Sequence, residues 1–149
     1  LELAGPPIAH LMPARPDVRL LVLGHLVLDE RLAGFGERIT ALEFMPDARA
    51  FWSVLAEADI NLAVLHPGVV ADAKSEIKWL EAAVLGIPSV VSPTATYREV
   101  LEDGVDVLMA GDADAWRSAL ERLVADAALR RTIGQRAREK ALRLYSVEA

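Results

Sequence analysis

Cysteine is absent from the 149 residues. That excludes thiol nucleophiles, disulfide scaffolds, iron–sulfur clusters and cysteine-ligated zinc. Histidine occurs three times, at His10, His25 and His66, without an H-x3-H spacing, so no metal is expected. No apolar run approaches the roughly 20 residues needed to cross a bilayer. The opening LELAGPP lacks a basic stretch followed by a long apolar one, so it does not read as a signal peptide. Positive charge is in deficit, with 16 basic against 22 acidic residues and a net charge of −6. Such a surface repels phosphate backbones, and no nucleic-acid partner is expected.

What is present is an apolar excess. A hydrophobic fraction of 53% with 26% charged residues excludes disorder. A chain of this length buries roughly 70% of its unfolded surface, enough for a single domain spanning 1–149, expected in the cytoplasm. Four runs keep apolar residues without strict alternation: Val18 to Gly24, Asp59 to Leu65, Pro88 to Ser92 and Val105 to Ala110. Continuous branched runs of this kind mark parallel strands covered on both faces. A fifth, Arg38 to Phe44, alternates more and fits a strand nearer an edge.

Helical spacing lies between these runs. Asp47 to Glu57 carries Phe51, Val54 and Leu55 on one face, with Asp47 as cap. Lys74 to Leu85 is ended by Gly86 and stopped by Pro88, and Tyr97 to Glu102 forms a short helix. Ala113 to Val124 follows Asp112, Ala128 to Leu144 closes the chain, and a first helix runs from Pro7. Strands alternating with helices predict an α/β domain with a Rossmann-like, doubly wound, mostly parallel sheet of about five strands and helices on both faces.

Ligands of such sheets bind beyond the carboxyl ends of the strands. The residues there are Gly24-His25, Met45-Pro46, His66-Pro67-Gly68, Pro93-Thr94 and Gly111-Asp112. The longest of these loops, His66 to Ala73, leads into the helix KSEIKWLEAAVLG, whose free N–H groups and dipole favour an anion. Lys74, Ser75, Lys78 and Glu81 cluster on its first turns, with Ile77, Leu80 and Val84 as the stripe facing the sheet. One reading is a site for a phosphate-bearing, hydroxylated ligand. The other is an exposed face with an i,i+3 ion pair between Lys78 and Glu81.

Here the sequence resembles the C-terminal, donor-binding domain of the retaining GT-B glycosyltransferases of group 1, whose helix reads approximately E-x7-E-A-x-A-x-G-x-P-V-V. Residues Glu81 to Val91, EAAVLGIPSVV, match its second half. Tyr97 to Gly104 is similar to the family's E-hydrophobic-hydrophobic-x-D-G segment, and Asp126 to Ala137 to its closing pattern. Upstream, LLVLG and EADINLAVL resemble its strands, so the likeness runs from about Asp17 to Tyr145. The resemblance implies that Glu81 accepts the ribose hydroxyls of a UDP- or GDP-sugar and that Lys74 and the helix start lie near its diphosphate. It implies no metal or other cofactor. The family's first glutamate, which contacts the donor sugar, falls on Ala73. The segment KSEIKWLE instead looks like a K-S-x-I-K-x-L-E variant of surface-polysaccharide enzymes.

The resemblance also implies a chain that opens just after the family's first strand and glycine-rich loop, as the C-terminal half of a two-domain enzyme without its N-terminal acceptor-binding domain. No catalytic residue is identified, and the isolated chain is expected to be inactive. His66 is a donor-binding candidate, His25 a weaker one, and His10 a surface residue. Trp52, Trp79 and Trp116 are expected in packing. The basic set Arg130, Arg131, Arg136, Arg138, Lys140 and Arg143 reads as a solvated helix face, or as a peripheral contact with anionic lipid at the inner membrane face. Alternatives are a non-catalytic GT-B-like module and part of a sugar-nucleotide epimerase. A nicotinamide site would need G-x-G-x-x-G after the first strand, where GHLVLD stands.

Overall fold

The structure, a computed structural model, describes residues 3–24, 27–28, 30–66 and 68–146. All five apolar runs form strands: β1 (Leu20–Leu23), β2 (Ile39–Leu42), β3 (Asn61–Ala63), β4 (Ser89–Val91) and β5 (Leu108–Met109). Every pairing is parallel. They are divided, however, into a two-stranded sheet β1–β2 and a three-stranded sheet β3–β4–β5. The continuous sheet expected from the sequence is therefore divided in two.

The interruption leaves two strand edges. In a parallel pair, alternate residues direct their backbone groups to opposite sides. The Gly24 N–H donates to the Leu42 carbonyl at 2.8 Å, so Leu21 and Leu23 turn theirs away from β2. The Asn61 N–H donates to the Pro88 carbonyl at 2.9 Å, so Leu62 and Val64 turn theirs away from β4. Leu20 of β1 and Leu62 and Val64 at β3 nevertheless pack against one hydrophobic cluster.

Among the described residues seven α-helices accompany the strands: α1 (Gly5–Ala14), α2 (Ala48–Leu55), α3 (Val69–Asp72), α4 (Ile77–Val84), α5 (Ala95–Val100), α6 (Ala113–Ala125) and α7 (Ala127–Tyr145). Short polar side chains start several of them. The carboxylates of Asp47, Asp112 and Asp126 accept the backbone N–H of Arg49, Ala115 and Leu129, and the Thr94 hydroxyl accepts that of Tyr97. Side-chain alternation along the strands separates two faces. Val90 and Leu108 point into the cluster with Trp116, Leu120 and Leu123 of α6 and with Ile8, Leu11 and Met12 of α1. Val91 and Ala63 point into the cluster with Trp79 of α4, Tyr97 of α5 and Ala137 and Ala141 of α7. Helices thus cover both faces, and Trp79 and Trp116 are fully buried. Trp52 is partly buried beside Leu55 and Ile87.

Four expectations need correction. The helix predicted from Lys74 begins at Ile77, because α3 occupies the end of the preceding loop and Lys74 and Ser75 form the connection. Its fully buried residues are Trp79, Ala82 and Ala83; of the expected stripe Leu80 and Val84 are partly buried against the same core, while Ile77 is 51% exposed. A short 3-10 segment, Glu30–Arg38, kinks at Gly36 where no helix was expected. The basic face of α7 is not uniformly solvated. Lys140 pairs with the buried Asp106 and donates to the Val100 carbonyl at 3.0 Å, while Arg130 donates to the carbonyls of Leu123 and Val124. Both side chains tie α7 to its neighbours instead of facing water.

Two glycines pack against each other closely. Gly86 ends α4 with φ +72°, a left-handed value that suits glycine, and α7 crosses it at Gly134. A Cβ on Gly134 would fall 2.0 Å from the Gly86 carbonyl oxygen.

Candidate functional site

The carboxyl ends of β3, β4 and β5 converge on a cavity of about 230 Å³. Leu65 and Gly68 follow β3; Ser92, Pro93 and Thr94 follow β4; Gly111 follows β5. Gly68, Pro93, Thr94 and Gly111 come from three of the five strand ends that the sequence singles out. Leu3, at the entry to α1, closes the cavity from another side, and Asp72 of α3 and Arg98 of α5 complete it.

Asp72, Ser92 and Thr94 are held by their neighbours. Asp72 Oδ1 accepts the Ala95 N–H at 2.8 Å, and the Thr96 hydroxyl donates to the Asp72 carbonyl at 3.2 Å, joining the loop after β3 to the start of α5. Ser92 Oγ accepts the Leu65 N–H at 2.9 Å, and Thr94 Oγ1 accepts the Tyr97 N–H at 3.2 Å. Both hydroxyl side chains are buried. Among the described residues Arg98 makes no ion pair, and Asp72 Oδ2 accepts no hydrogen bond.

The residues expected to bind a donor lie elsewhere around the same loop. Lys74, Ser75 and Lys78 are exposed, and the Lys78 carbonyl accepts the Asn61 side-chain amide at 3.1 Å. Glu81 is partly buried on α4, where burial pushes its carboxyl above the usual carboxylate range against the opposing pull of Lys78. His66 is exposed just beyond β3, and His10 is exposed on α1. None of these residues lines the cavity. His25 lies outside the described residues. The structure therefore brings Lys78 and Glu81 together and keeps both apart from the cavity walls. Ala73, the position lacking a carboxylate, is exposed, whereas its neighbour Asp72 faces the cavity.

Behind the cavity, Tyr97 is buried with its hydroxyl unpartnered among the described residues. Burial, aided by the charges of Glu76 and Glu81, pushes its phenol up to about 12. The Tyr145 hydroxyl donates to Glu76, fastening the end of α7 to the start of α4. Sequence reasoning missed Asp72 and Arg98. The only available signal was their nearness in sequence to the strand ends. Among the described residues, no cluster of metal-ligating side chains is found, and no helix is long and apolar enough to cross a membrane.

Known structures share this fold. The C-terminal domain of a glycosyl transferase group 1 family protein (LpcC) from Francisella tularensis superposes with a TM-score of 0.77 at 17% identity, covering 99% of this chain and 83% of that one. Anabaena Alr3699/HepE, determined in complex with UDP-glucose, gives 0.73 at 18% identity, with 94% of this chain and 39% of that one. A putative UDP-N-acetylglucosamine 2-epimerase from Listeria monocytogenes gives 0.63 at 22%, with 95% and 38%. At such identities these are likenesses of fold, and against the last two the chain spans about two-fifths of the known molecule. No curated protein matches the sequence. The sequence pattern of one family does, over residues 8–149, taking in every strand and every lining residue of the cavity except Leu3. With that match laid over the parallel strands and the cavity at their carboxyl ends, the chain belongs to the glycosyl transferase-like family.

Proposed function

We propose that this domain binds the nucleotide-sugar donor of a GT-B glycosyltransferase, which passes the sugar to a glycan or lipid-linked acceptor in surface-polysaccharide synthesis. The observation that carries this reading is the cavity at the carboxyl ends of β3, β4 and β5 within a family match over nearly the whole chain. In this reading Glu81 accepts the ribose hydroxyls, and Lys74, Ser75, Lys78 and the start of α4 oppose the charge of the diphosphate. Such fixed positive charge stabilises a leaving nucleoside diphosphate as its charge develops. His66 borders the same loop. No metal is needed for this arrangement.

The domain is proposed as one half of a larger enzyme that acts at its cleft with an acceptor-binding domain. The free edges of β1 and β3, packed on one core, support this, since one further parallel strand between them would join the two sheets into one. A cytoplasmic location is proposed. The exposed Arg131, Arg136, Arg138 and Arg143 would suit a peripheral contact with anionic lipid.

Calorimetric titration of the full-length protein with UDP and GDP tests the reading. Binding of one of them is expected, with Glu81→Ala weakening it by about tenfold. Failure of every nucleoside diphosphate to bind would remove it. The exposed Ala73 favours a second reading, a non-catalytic GT-B-like module. Turnover of any sugar nucleotide by the full-length protein excludes that one.

A further inference from the structure

We propose that Tyr145 is a positioning residue for the donor site: it draws the Glu76 carboxylate toward α7 and so keeps the start of α4 open to the diphosphate. This rests on the donor-binding reading above and adds to it two residues which that reading does not use.

Glu76 is an acid in a basic place. It immediately precedes α4 and stands between Lys74 and Lys78, both assigned above to the diphosphate. The N–H groups and dipole of a helix start attract carboxylates within the first turn. A glutamate at this position therefore competes with an anionic ligand for the same positive end. Yet among the described residues no side chain caps α4, although Asp47, Thr94, Asp112 and Asp126 each cap the helix that they precede.

The Glu76 side chain is engaged elsewhere. Its Oε1 accepts the hydroxyl of Tyr145, 69 positions along the chain. Burial and this bond push the Tyr145 phenol up to about 12, so it remains a donor at neutral pH. The charge of Glu76 also acts on the Tyr97 phenol, which is buried in the cluster with Ala137 and Ala141 of α7. The carboxylate is thus drawn to the α7 side of the helix start. Lys78, two residues on, lies about 200° around the helix from it.

The helix that supplies the hold is itself anchored. Gly134 sits against Gly86 at the far end of α4, and Lys140 pairs with the buried Asp106 and donates to the Val100 carbonyl at 3.0 Å. The contacts of Gly134 with Gly86 and of Tyr145 with Glu76 set α7 antiparallel to α4. Tyr145 reaches Glu76 as the last residue of that helix. Neither side chain gives a group to the ligand. Their effect is on which charge the ligand meets.

Calorimetric titration of the full-length protein with UDP and GDP tests this in Tyr145→Phe, Glu76→Gln and the two combined. Tyr145→Phe keeps the ring and loses the hold. It should weaken the diphosphate that binds wild type by about fivefold, the effect of one charge at a helix start. Glu76→Gln alone should change affinity by less than about twofold, because the charge it removes is already turned away. The combined variant should return to within about twofold of wild type, since no charge is left to compete. That rescue separates positioning from support of the fold, which would leave the combined variant as weak as Tyr145→Phe.

Wild-type affinity in Tyr145→Phe, no rescue in the combined variant, or a gain of more than about twofold from Glu76→Gln alone overturns the positioning role and leaves the donor reading standing. If wild-type protein binds neither UDP nor GDP, the donor reading falls and the role of Tyr145 falls with it.

Discussion

The two sheets are built from similar sequence and buried very differently. LLVL in β1 and SVV in β4 are both continuous apolar-rich runs, yet all three residues of β4 are buried, against only Val22 in β1 and none in β2. The three-stranded sheet has α4 and α7 on one face and α6 on the other, and its polar groups are closed internally. Asn61 donates to Ser89 Oγ, the Trp79 indole N–H donates to the Asp106 carbonyl, and Asp106 pairs with Lys140. The two-stranded sheet is held at its entrance by Arg38, which donates to the carbonyls of Met12, Arg15 and Val18 and lies 5.5 Å from the centre of the Phe35 ring. A branched apolar run therefore reports what a strand is able to bury. Which layers arrive to bury it depends on the rest of the chain.

The sharpest way to break this contrast is a pair of matched glycines. Gly134→Ala drives a methyl into the Gly86 carbonyl and should cost about 3 kcal/mol in urea unfolding, because backbone on both sides must shift. Gly34→Ala, in the 3-10 segment beside β2, meets nothing within 4 Å and should change stability by less than about 1 kcal/mol. Comparable losses at both sites would show that the two halves are packed alike.

A smaller effect is expected from deleting methyls within the strands. Val91→Ala removes atoms from a site with 0% exposure and should cost about 2 kcal/mol, while Val22→Ala, at 6% in the thinner sheet, should cost about 1 kcal/mol. Equal costs in the same denaturant series would erase the distinction in cover.

The smallest change should be a gain. Tyr97→Phe removes a buried hydroxyl without a partner among the described residues and should stabilise the protein by up to about 1 kcal/mol. It also changes the alkaline response. The Tyr97 phenol is held up at about 12 in the fold and ionises near 10 when unfolded. Its contribution is therefore full below about pH 10 and is lost as pH rises toward 12. Thermal melts from pH 8 to 11.5 should fall more steeply for wild type than for Tyr97→Phe, and parallel curves would refute the assignment.

Much of this architecture is legible in the residues themselves. Each strand lies inside an apolar run, and Asp47 and Asp112 cap the helices they were expected to cap. The 3-10 segment escapes such reading because Gly34 and Gly36 interrupt its spacing, and α3 because four residues show no period. On α4 the spacing points to Leu80 and Val84, which do pack on the core, but Trp79 is fully buried and Ile77 is exposed. The cavity is harder still. Its walls come from three strand ends and two helices, and the bond that fixes Asp72 reaches Ala95, 23 residues away. Local patterns carry no record of such a meeting, although Gly68, Pro93, Thr94 and Gly111 stood among the positions that strand ends nominate.

The hydrogen bond from the Ala95 N–H to Asp72 has a thermodynamic consequence. It selects the rotamer of the carboxylate before any ligand arrives. Immobilising a flexible side chain on association costs about 0.5–1.5 kcal/mol in entropy. For Asp72 that cost falls on folding, where it is offset by capping the short helix α5, and so it is absent from the association step. A ligand meeting this carboxylate finds an acceptor already oriented.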